Sequence, residues 1–246
     1  MKLFEKWALP QNTQRQPKVL EHETKFVFLN HHLDQILSWV THTCQTDPAF
    51  PHNIIASIYY DTRCWKFLRE KVDSDYLKTK VRVRWYRNPG RPEPQGNAFI
   101  EVKSKIGAPR TKFRMESPYP ANWLHRVPLE DLRLLEIPRL LKAHCALSEP
   151  TPIFPAFIVQ YERYRFIEPI SGTRICIDCN IHVPKVNGTM LGNPPSSVLH
   201  TSVLEVKGDF DGLPGMLSKL FAFGVKKSSF SKYLACYQKL QRIKFH

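Results

Sequence analysis

No stretch of the sequence approaches the roughly eighteen consecutive apolar residues that a membrane-spanning helix requires. Residues 1–17 also lack the apolar centre of a signal peptide and carry several proline, glutamine and asparagine residues instead. Both absences predict a protein without a transmembrane segment and with a cytoplasmic location. Residues 1–17 are expected to form a flexible N-terminal arm in front of the folded part of the chain.

Cysteine and histidine do not occur in the patterns typical of disulfide scaffolds or zinc sites. The six cysteines are scattered along the chain, so reduced thiols are expected. Cys176 and Cys179 have the C-x-x-C spacing, but no second pair accompanies them, and a strand would direct the two sulfur atoms to opposite faces. The histidines form no recognisable set of metal ligands. Neither residue type therefore predicts a metal centre.

Acidic residues are scarce relative to basic ones. The chain has 36 lysine and arginine residues against 22 aspartate and glutamate residues, which gives a formal net charge of +14. Such an excess favours a polyanionic partner, whether nucleic acid, a phosphorylated metabolite or an anionic lipid. No recognised nucleic-acid motif and no aromatic stacking platform is present, so nucleic acid is not expected as the partner.

An unusual run of charges lies in the segment Val19–Leu29, where Glu21, Glu23 and Lys25 occupy alternate positions. Side chains of a β-strand switch faces at every residue, so these three charges would share one face. A cation between the glutamates and an anion near the lysine would compensate them, which suggests a metal and a phosphate in one site. Taken alone, the pattern is also that of a solvated strand face.

Five later segments repeat this alternation of charged and apolar residues, over 80–86, 99–105, 161–166, 174–180 and 203–207. In strand after strand, lysine and arginine dominate the polar face. A sheet that closed on itself would bring these faces together around an axis, and helices would cover the apolar faces from outside. The prediction is an α+β fold, with a closed antiparallel β-barrel around a charged lumen.

The whole folded part is predicted to be a single domain over residues 18–246, since no shift in composition indicates a second one. Amphipathic helices that could pack outside the barrel are expected within 30–46, 130–143, 215–223 and 229–243.

The lumen of this barrel would hold more positive than negative charge. The alternation directs inward the cations Lys25, Lys80, Arg82, Arg84, Lys103, Arg163, Arg174 and Lys207 and the carboxylates Glu21, Glu23, Glu101 and Glu205. Such an excess could not be buried without an anionic partner. A triphosphate carries a comparable negative charge, and Mg²⁺ or Mn²⁺ would let it approach the glutamates, held by one or two carboxylates, phosphate oxygens and water.

Several short motifs follow one another along the chain: Glu21-x-Glu23-x-Lys25, Tyr59-Tyr60-Asp61-Thr62, Lys80-x-Arg82-x-Arg84-Trp85-Tyr86, Phe99-x-Glu101-x-Lys103, the segment 161–166, Arg174-x-x-x-Asp178, Leu204-Glu205-x-Lys207 and Phe230-Ser231-Lys232-Tyr233. This series resembles the vacuolar transporter chaperone (VTC) domain of the CYTH, or triphosphate tunnel metalloenzyme, superfamily, in its stand-alone bacterial form. The resemblance implies an eight-stranded antiparallel tunnel. It also implies a polyphosphate polymerase that moves the γ-phosphate of ATP onto a growing polyphosphate chain with Mn²⁺ or Mg²⁺.

The resemblance also implies roles for individual residues. Glu205 matches a metal ligand, and Glu21 and Glu23 are assigned to the same metal. Glu101 is either close to the metal or a salt-bridge partner that positions Lys103. By the resemblance, phosphate binding is assigned to Lys25, Arg82, Arg84, Lys103, Arg163, Arg174 and Lys232, and the charge of the predicted lumen adds Lys80 and Lys207.

Two departures from the family pattern leave the reaction open. Ser229 stands where some members carry a second lysine, and the intact Glu21-x-Glu23-x-Lys25 motif is closer to the triphosphate hydrolases and class IV adenylate cyclases of the wider superfamily. An inorganic triphosphatase is therefore an alternative to the polymerase. A non-catalytic module that binds polyphosphate is a third possibility.

Overall fold

The computed structural model describes residues 22–73, 76–107, 110–144, 146–147, 149–192, 194, 196–209 and 211–243. The N-terminal arm predicted over residues 1–17 and the predicted metal ligand Glu21 lie outside these ranges.

In the described residues, eleven strands form one antiparallel sheet in which the order of neighbours is β11-β1-β10-β8-β7-β3-β4-β5-β6, with β2 beside β7 and β9 beside β8. The strands are β1 His22–Leu29, β2 Gln45–Thr46, β3 His52–Thr62, β4 Leu77–Arg87, β5 Phe99–Ile106, β6 Arg110–Glu116, β7 Ile153–Ile167, β8 Arg174–Val183, β9 Ser197–Val198, β10 Thr201–Gly208 and β11 Lys226–Lys227. Together with the helices they confirm the predicted α+β class.

The prediction of a closed eight-stranded barrel is wrong. The sheet has eleven strands, and within the described residues no pairing joins β6 at one end to β11 at the other. Closure depends on strand tilt and on the stagger of the hydrogen bonds, which must match the number of strands. The alternation of charged and apolar residues shows only which side chains share one face of the sheet.

The sheet is nevertheless strongly curved. Six steps separate β1 from β5 in the strand order, which would place them about 29 Å apart in a flat sheet at the usual spacing of about 4.8 Å. Despite this, Glu23 of β1 interacts electrostatically with Lys103 of β5, and Lys25 of β1 with Lys80 of β4. The side chains of distant strands therefore project into one common space, bounded by the concave face of the sheet.

Helices cover the convex face, as predicted for the segments within 30–46, 130–143 and 215–223. The α-helices of the chain are α1 Leu33–Thr43, α2 Lys66–Asp73, α3 Ala121–Arg126, α4 Glu136–Ala143, α5 Gly188–Leu191 and α6 Lys232–Ile243. A hydrophobic cluster packs α1 and the 3₁₀ helix Gly215–Phe223 against Phe26 and Leu204, and a second packs α3 and α4 against Val83 and Ile100. Among the described helices, none has both the length and the apolar character needed to cross a bilayer.

Helix α6 corrects the prediction that all helices pack outside. Its Tyr233 and Leu240 belong to a buried cluster with Tyr59, Phe157 and Tyr161 of the sheet. The ring of Tyr233 stacks on those of Tyr59 and Phe157, with centroids 4.6 and 5.1 Å apart. An amphipathic stripe predicts that a helix packs on apolar side chains, but it does not specify which face of the sheet supplies them. Here the apolar part of the concave face accepts the helix.

Candidate functional site

The concave face gathers charged side chains from β1, β4, β5, β7, β8 and β10 and from the first turn of α6. The basic cluster, as we define it, consists of Lys25, Lys80, Arg82, Arg84, Lys103, Arg163, Lys207 and Lys232. Four carboxylates share the same face, those of Glu23, Glu101, Asp178 and Glu205. These eight cations and four carboxylates leave a net positive charge, which requires either solvent or an anionic ligand.

Asp178 is the most buried carboxylate of this group, with no exposed side-chain surface. Arg163 donates to both of its oxygens, from Nε at 2.5 Å and from Nη2 at 2.7 Å, and Lys232 Nζ lies 2.5 Å from Oδ2. The same Nη2 of Arg163 donates to Glu205 at 3.3 Å. Burial raises the pKa of Asp178, but Arg163 and Lys232 outweigh this and hold the pKa below its ordinary value. Asp178 therefore remains ionised and joins α6 to the sheet.

Helix α6 is also held by a buried hydrogen bond at the residue after Lys232. The hydroxyl of Tyr233 donates to Oδ2 of Asp61 at 2.9 Å. Asp61 also accepts from backbone N–H groups at the start of α2, those of Phe67 and Leu68, each at 3.0 Å. Burial raises the pKa of Asp61 to about 6, against the effect of these hydrogen bonds. The contacts fix the start of α6 and thereby position Lys232 beside Asp178.

Glu23 and Glu205 lie on neighbouring strands and share the ammonium group of Lys207. Lys207 Nζ is 2.8 Å from Glu205 and 3.4 Å from Glu23, and Lys25 Nζ is 2.8 Å from the other oxygen of Glu23. Burial raises the pKa of Glu205, but Arg163 and Lys207 hold it well below its ordinary value. Burial and Glu205 raise the pKa of Glu23, but Lys25 and Lys207 outweigh them. The ionised carboxylates of Glu23 and Glu205 therefore share the ammonium group of Lys207.

Glu101 is the ion-pair partner of Arg82. Nε and Nη2 of Arg82 donate to Oε2 of Glu101 at 2.8 and 2.6 Å, and Nε of Arg114 lies 3.8 Å from Oε1. Burial raises the pKa of Glu101, but Arg82 and Arg84 outweigh it and lower the pKa to about 2. The carboxylate thus orients Arg82, whereas the sequence predicted that it lies close to the metal or positions Lys103.

Among the described residues, Lys80 and Lys103 of the basic cluster have no carboxylate within ion-pair distance, although Glu23 and Glu101 act on Lys103 from farther away. Within the described part of the chain neither forms an ion pair, and the register of β4 and β5 places them directly opposite each other. Burial, together with the positive charge of Arg82, lowers the pKa of each lysine to about 8. The side chain of Lys103 still reaches solvent. Both ammonium groups can therefore bind the anionic groups of a ligand.

The pKa of Tyr59 shows how positive the local electrostatic potential is. Burial raises the pKa of its hydroxyl, but Arg82, Lys80 and Arg84 outweigh this and lower the pKa to about 7. Nη1 of Arg82 donates to the hydroxyl at 3.5 Å, and Lys80 Nζ lies 5.9 Å from the ring centroid. An ordinary tyrosine titrates near pH 10, so the cluster strongly favours negative charge at this position.

We expect the binding of tripolyphosphate to weaken above about pH 8. Lys80 and Lys103 have pKa values of about 8 in the free protein, and a bound phosphate would raise them. Binding then requires proton uptake, so the affinity falls by up to about tenfold per pH unit for each lysine once the pH exceeds the free-protein pKa. Calorimetric titrations at a series of pH values measure this. The variant Lys80→Arg/Lys103→Arg remains charged and should keep its affinity, whereas an equal decline in that variant would contradict the assignment.

The structure brings together most of the residues predicted for the site. Arg174 is different, since it is exposed at the first position of β8, opposite Lys207. Glu21 lies outside the described residues. Asp178 is part of the family motif but was not predicted as a site residue, and this is the main omission, because Asp178 is the buried partner of Arg163. Asp178 follows Arg174 by four positions in the same strand and so shares its face, which was the available signal.

A divalent metal was predicted at Glu205, Glu21 and Glu23. Within the described residues, no group of three or more histidine, cysteine, aspartate or glutamate side chains could hold a metal ion. Glu23 and Glu205 are ionised and close enough for Lys207 to contact both. Mg²⁺ is commonly held by one or two carboxylates together with phosphate oxygens and water. These two carboxylates fit an ion of that kind if Lys207 moves aside.

Comparison with known families gives one match that covers most of the chain. The family model described as the VTC domain matches residues 20–241. A search of curated proteins finds no match.

Three solved structures share a general likeness with the chain. A protein of Pyrococcus horikoshii OT3 is 18% identical with a TM-score of 0.45, over 91% of this chain and 99% of that one. Structures named "putative adenylate cyclase" from Vibrio parahaemolyticus and Bacillus halodurans are each 13% identical, with TM-scores of 0.44 and 0.49. The alignments cover 90% and 86% of this chain and 97% and 93% of theirs. At these TM-scores we draw no conclusion about this chain from them.

Proposed function

This chain belongs to the VTC domain family, and we propose that it is a metal-dependent polyphosphate polymerase. In this proposal it transfers the γ-phosphate of ATP to a growing polyphosphate chain within a tunnel-like space bounded by the concave face. The observation that carries the proposal is the excess of positive charge on that face, above all at Lys80 and Lys103, which lack carboxylate partners among the described residues.

Phosphoryl transfer requires mainly that the reacting groups are positioned and that their charge is neutralised. Arginine offers planar pairs of donors to phosphate oxygens, and lysine offers a compact charge. Arg82 and Arg163 are held in place by Glu101 and Asp178, so little side-chain entropy would be lost when they bind phosphate. Lys80 and Lys103, which form no ion pair among the described residues, supply the charge that a chain of phosphates requires.

Glu23 and Glu205 are the residues that we assign to a divalent metal, with Mn²⁺ or Mg²⁺ as the candidates. An ion held by these two carboxylates would supply positive charge that offsets the negative charge of the phosphates during transfer. Lys207, which contacts both carboxylates, would then turn toward phosphate. Glu21 remains a proposed third ligand.

The decisive experiment is an assay of the purified protein with ATP and Mn²⁺ or Mg²⁺. We expect ADP and an acid-labile phosphate polymer, because the proposed reaction adds the γ-phosphate of ATP to a growing chain. ADP without polymer would rule out polymerase activity. Arg82→Gln should reduce polymer formation by at least about a hundredfold. Arg139→Gln, which removes an exposed charge from α4 on the convex side, should leave it unchanged.

A triphosphate hydrolase is the second candidate, and the nearness of Glu23 to Glu205 favours it because a metal held there could also serve an attacking water. The same assay with tripolyphosphate decides between the two. Orthophosphate release in excess of polymer formation, abolished by Glu23→Gln, would identify a hydrolase. Tight polyphosphate binding without turnover, unaffected by chelation and steeply dependent on salt, would identify a binding module.

A further inference from the structure

Strand β8 contains an extra residue at Asn180. The neighbouring strand β7 advances by two positions from Gln160 to Glu162, whereas β8 advances by three over the same distance, from Cys179 to His182. Asn180 has a φ of 51°, in the left-handed region that asparagine adopts more readily than most residues. An extra residue of this kind is a β-bulge, which redirects the side chains that follow it. We call this irregularity the Asn180 bulge.

The bulge changes which residues of β8 face the concave side. Before it, Asp178 lies on that side, where Lys232 contacts it. In a regular strand the next side chain on the same face would be that of residue 180. Instead Ile181 and Val183 belong to the buried cluster that also contains side chains of α6. One strand therefore supplies both the buried carboxylate of the site and part of the apolar surface on which α6 packs.

Contacts on the convex face hold the bulge in place. The neighbours of Glu162 in β7 point to the concave side, so Glu162 itself points to the convex side. The side-chain amide of Asn180 donates to Oε1 of Glu162 at 2.9 Å, and Nε2 of His52 lies 3.1 Å from Oε2. The ring of His52 stacks on that of Tyr164, with centroids 4.0 Å apart. The bulge is thus fastened by side chains on the other face of the sheet from the basic cluster.

We propose that Asn180 is a positioning residue that acts on phosphate binding through Lys232 of α6. The inference rests on the proposed function and adds to it a residue whose side chain lies on the convex face. Without the bulge, the alternation would turn the apolar residues that follow it away from α6. The first turn of α6 would then lose the surface that brings Lys232 to within 2.5 Å of Asp178. The backbone conformation of Asn180 therefore sets where the cation of Lys232 stands relative to that of Arg163.

The test measures the binding of tripolyphosphate by calorimetry, with chelator present so that no phosphoryl transfer occurs. A β-branched residue rarely adopts a positive φ, so we expect Asn180→Val to bind about tenfold more weakly, the size of one charge-assisted contact. Asn180→Gly keeps the conformation and loses only the hydrogen bond to Glu162, so its affinity should fall by no more than about threefold. Combined with Lys232→Gln, Asn180→Val should cause no further loss, because the residue through which it acts is already absent.

A second variant applies if Asn180→Val does not fold. Glu162→Ala breaks the same hydrogen bond from the convex side. It should weaken binding by about threefold when Lys232 is present and have no effect when combined with Lys232→Gln. An affinity equal to that of the wild type would count against the proposal.

Gly90→Val is the matched control, because it places valine at a φ of 80° in the exposed turn between β4 and β5. It should lower the unfolding midpoint as Asn180→Val does and leave the affinity unchanged. Equal losses of affinity in these two variants would overturn the proposal, since backbone strain alone would explain them. Unchanged affinity in Asn180→Val, or a loss that persists in full beside Lys232→Gln, would overturn it as well. In each case tripolyphosphate binding by the wild type leaves the proposed function in place, whereas a wild-type protein that does not bind it would refute both.

Discussion

Replacement of Lys80 by methionine is expected to stabilise the protein and at the same time to weaken its binding of tripolyphosphate. Lys80 lies opposite Lys103 and has no carboxylate partner among the described residues. Removal of a like charge from such a position should raise the free energy of unfolding by about 0.5–1 kcal/mol. Loss of one charge-assisted contact should lower the affinity for tripolyphosphate roughly ten- to a hundredfold. Denaturant unfolding and calorimetry measure the two quantities.

Lys142→Met serves as the control, since this exposed lysine of α4 is far from the concave face in the fold. It should change neither stability nor affinity appreciably. A loss of stability in Lys80→Met would show that Lys80 supports the fold and would remove the argument for an anion site at this position. Opposite effects on stability and binding are characteristic of a charge that is retained for a ligand.

Replacement of Arg163 by methionine should have the opposite effect on stability. Arg163 donates two hydrogen bonds to Asp178, which has no exposed side-chain surface, and a third to Glu205. The variant leaves buried carboxylates with fewer partners, so we expect the free energy of unfolding to fall by about 3–5 kcal/mol. Arg126→Met, which breaks an exposed ion pair with Glu93, should leave the unfolding midpoint unchanged.

The double variant Arg163→Met/Asp178→Asn separates the two explanations for such a loss. If the cost arises from an uncompensated buried charge, removal of that charge should recover part of the stability. No recovery would mean that the packing of the arginine side chain, rather than its charge, accounts for the loss. If the proposed function is correct, both variants should also lack polymerase activity, because the proposal assigns Arg163 to phosphate binding.

The alternation of residues in the strands predicted most of the candidate site. Arg82, Lys103 and Glu205 were assigned to one face by parity alone, and the observed register places them on the concave side. Parity holds because a strand has only two faces. It could not show that Asp178, rather than a glutamate, is the buried partner of Arg163, since that pairing depends on the alignment of β7 with β8.

Closure of the sheet and the placement of α6 could not be predicted in this way. Both depend on how distant segments meet, which no local pattern encodes. The apolar residues of α6 fit the stripe expected of a helix that packs on a surface. Only the structure shows that Tyr59 and Phe157 of the concave face provide this surface.

The position of β1 in the sheet has a consequence for the order of folding. Its neighbours among the described strands are β10 and β11, and the nearby hydrogen bond from Ser202 to Asn30 spans 172 positions of the chain. Contacts between such distant segments require a costly loop closure before they contribute stability, so they form late. During synthesis, β1 cannot pair with β10 until the residues near position 200 have left the ribosome. The pair Glu23 and Glu205 would therefore be completed in one of the last steps of folding, and shorter nascent chains would lack it.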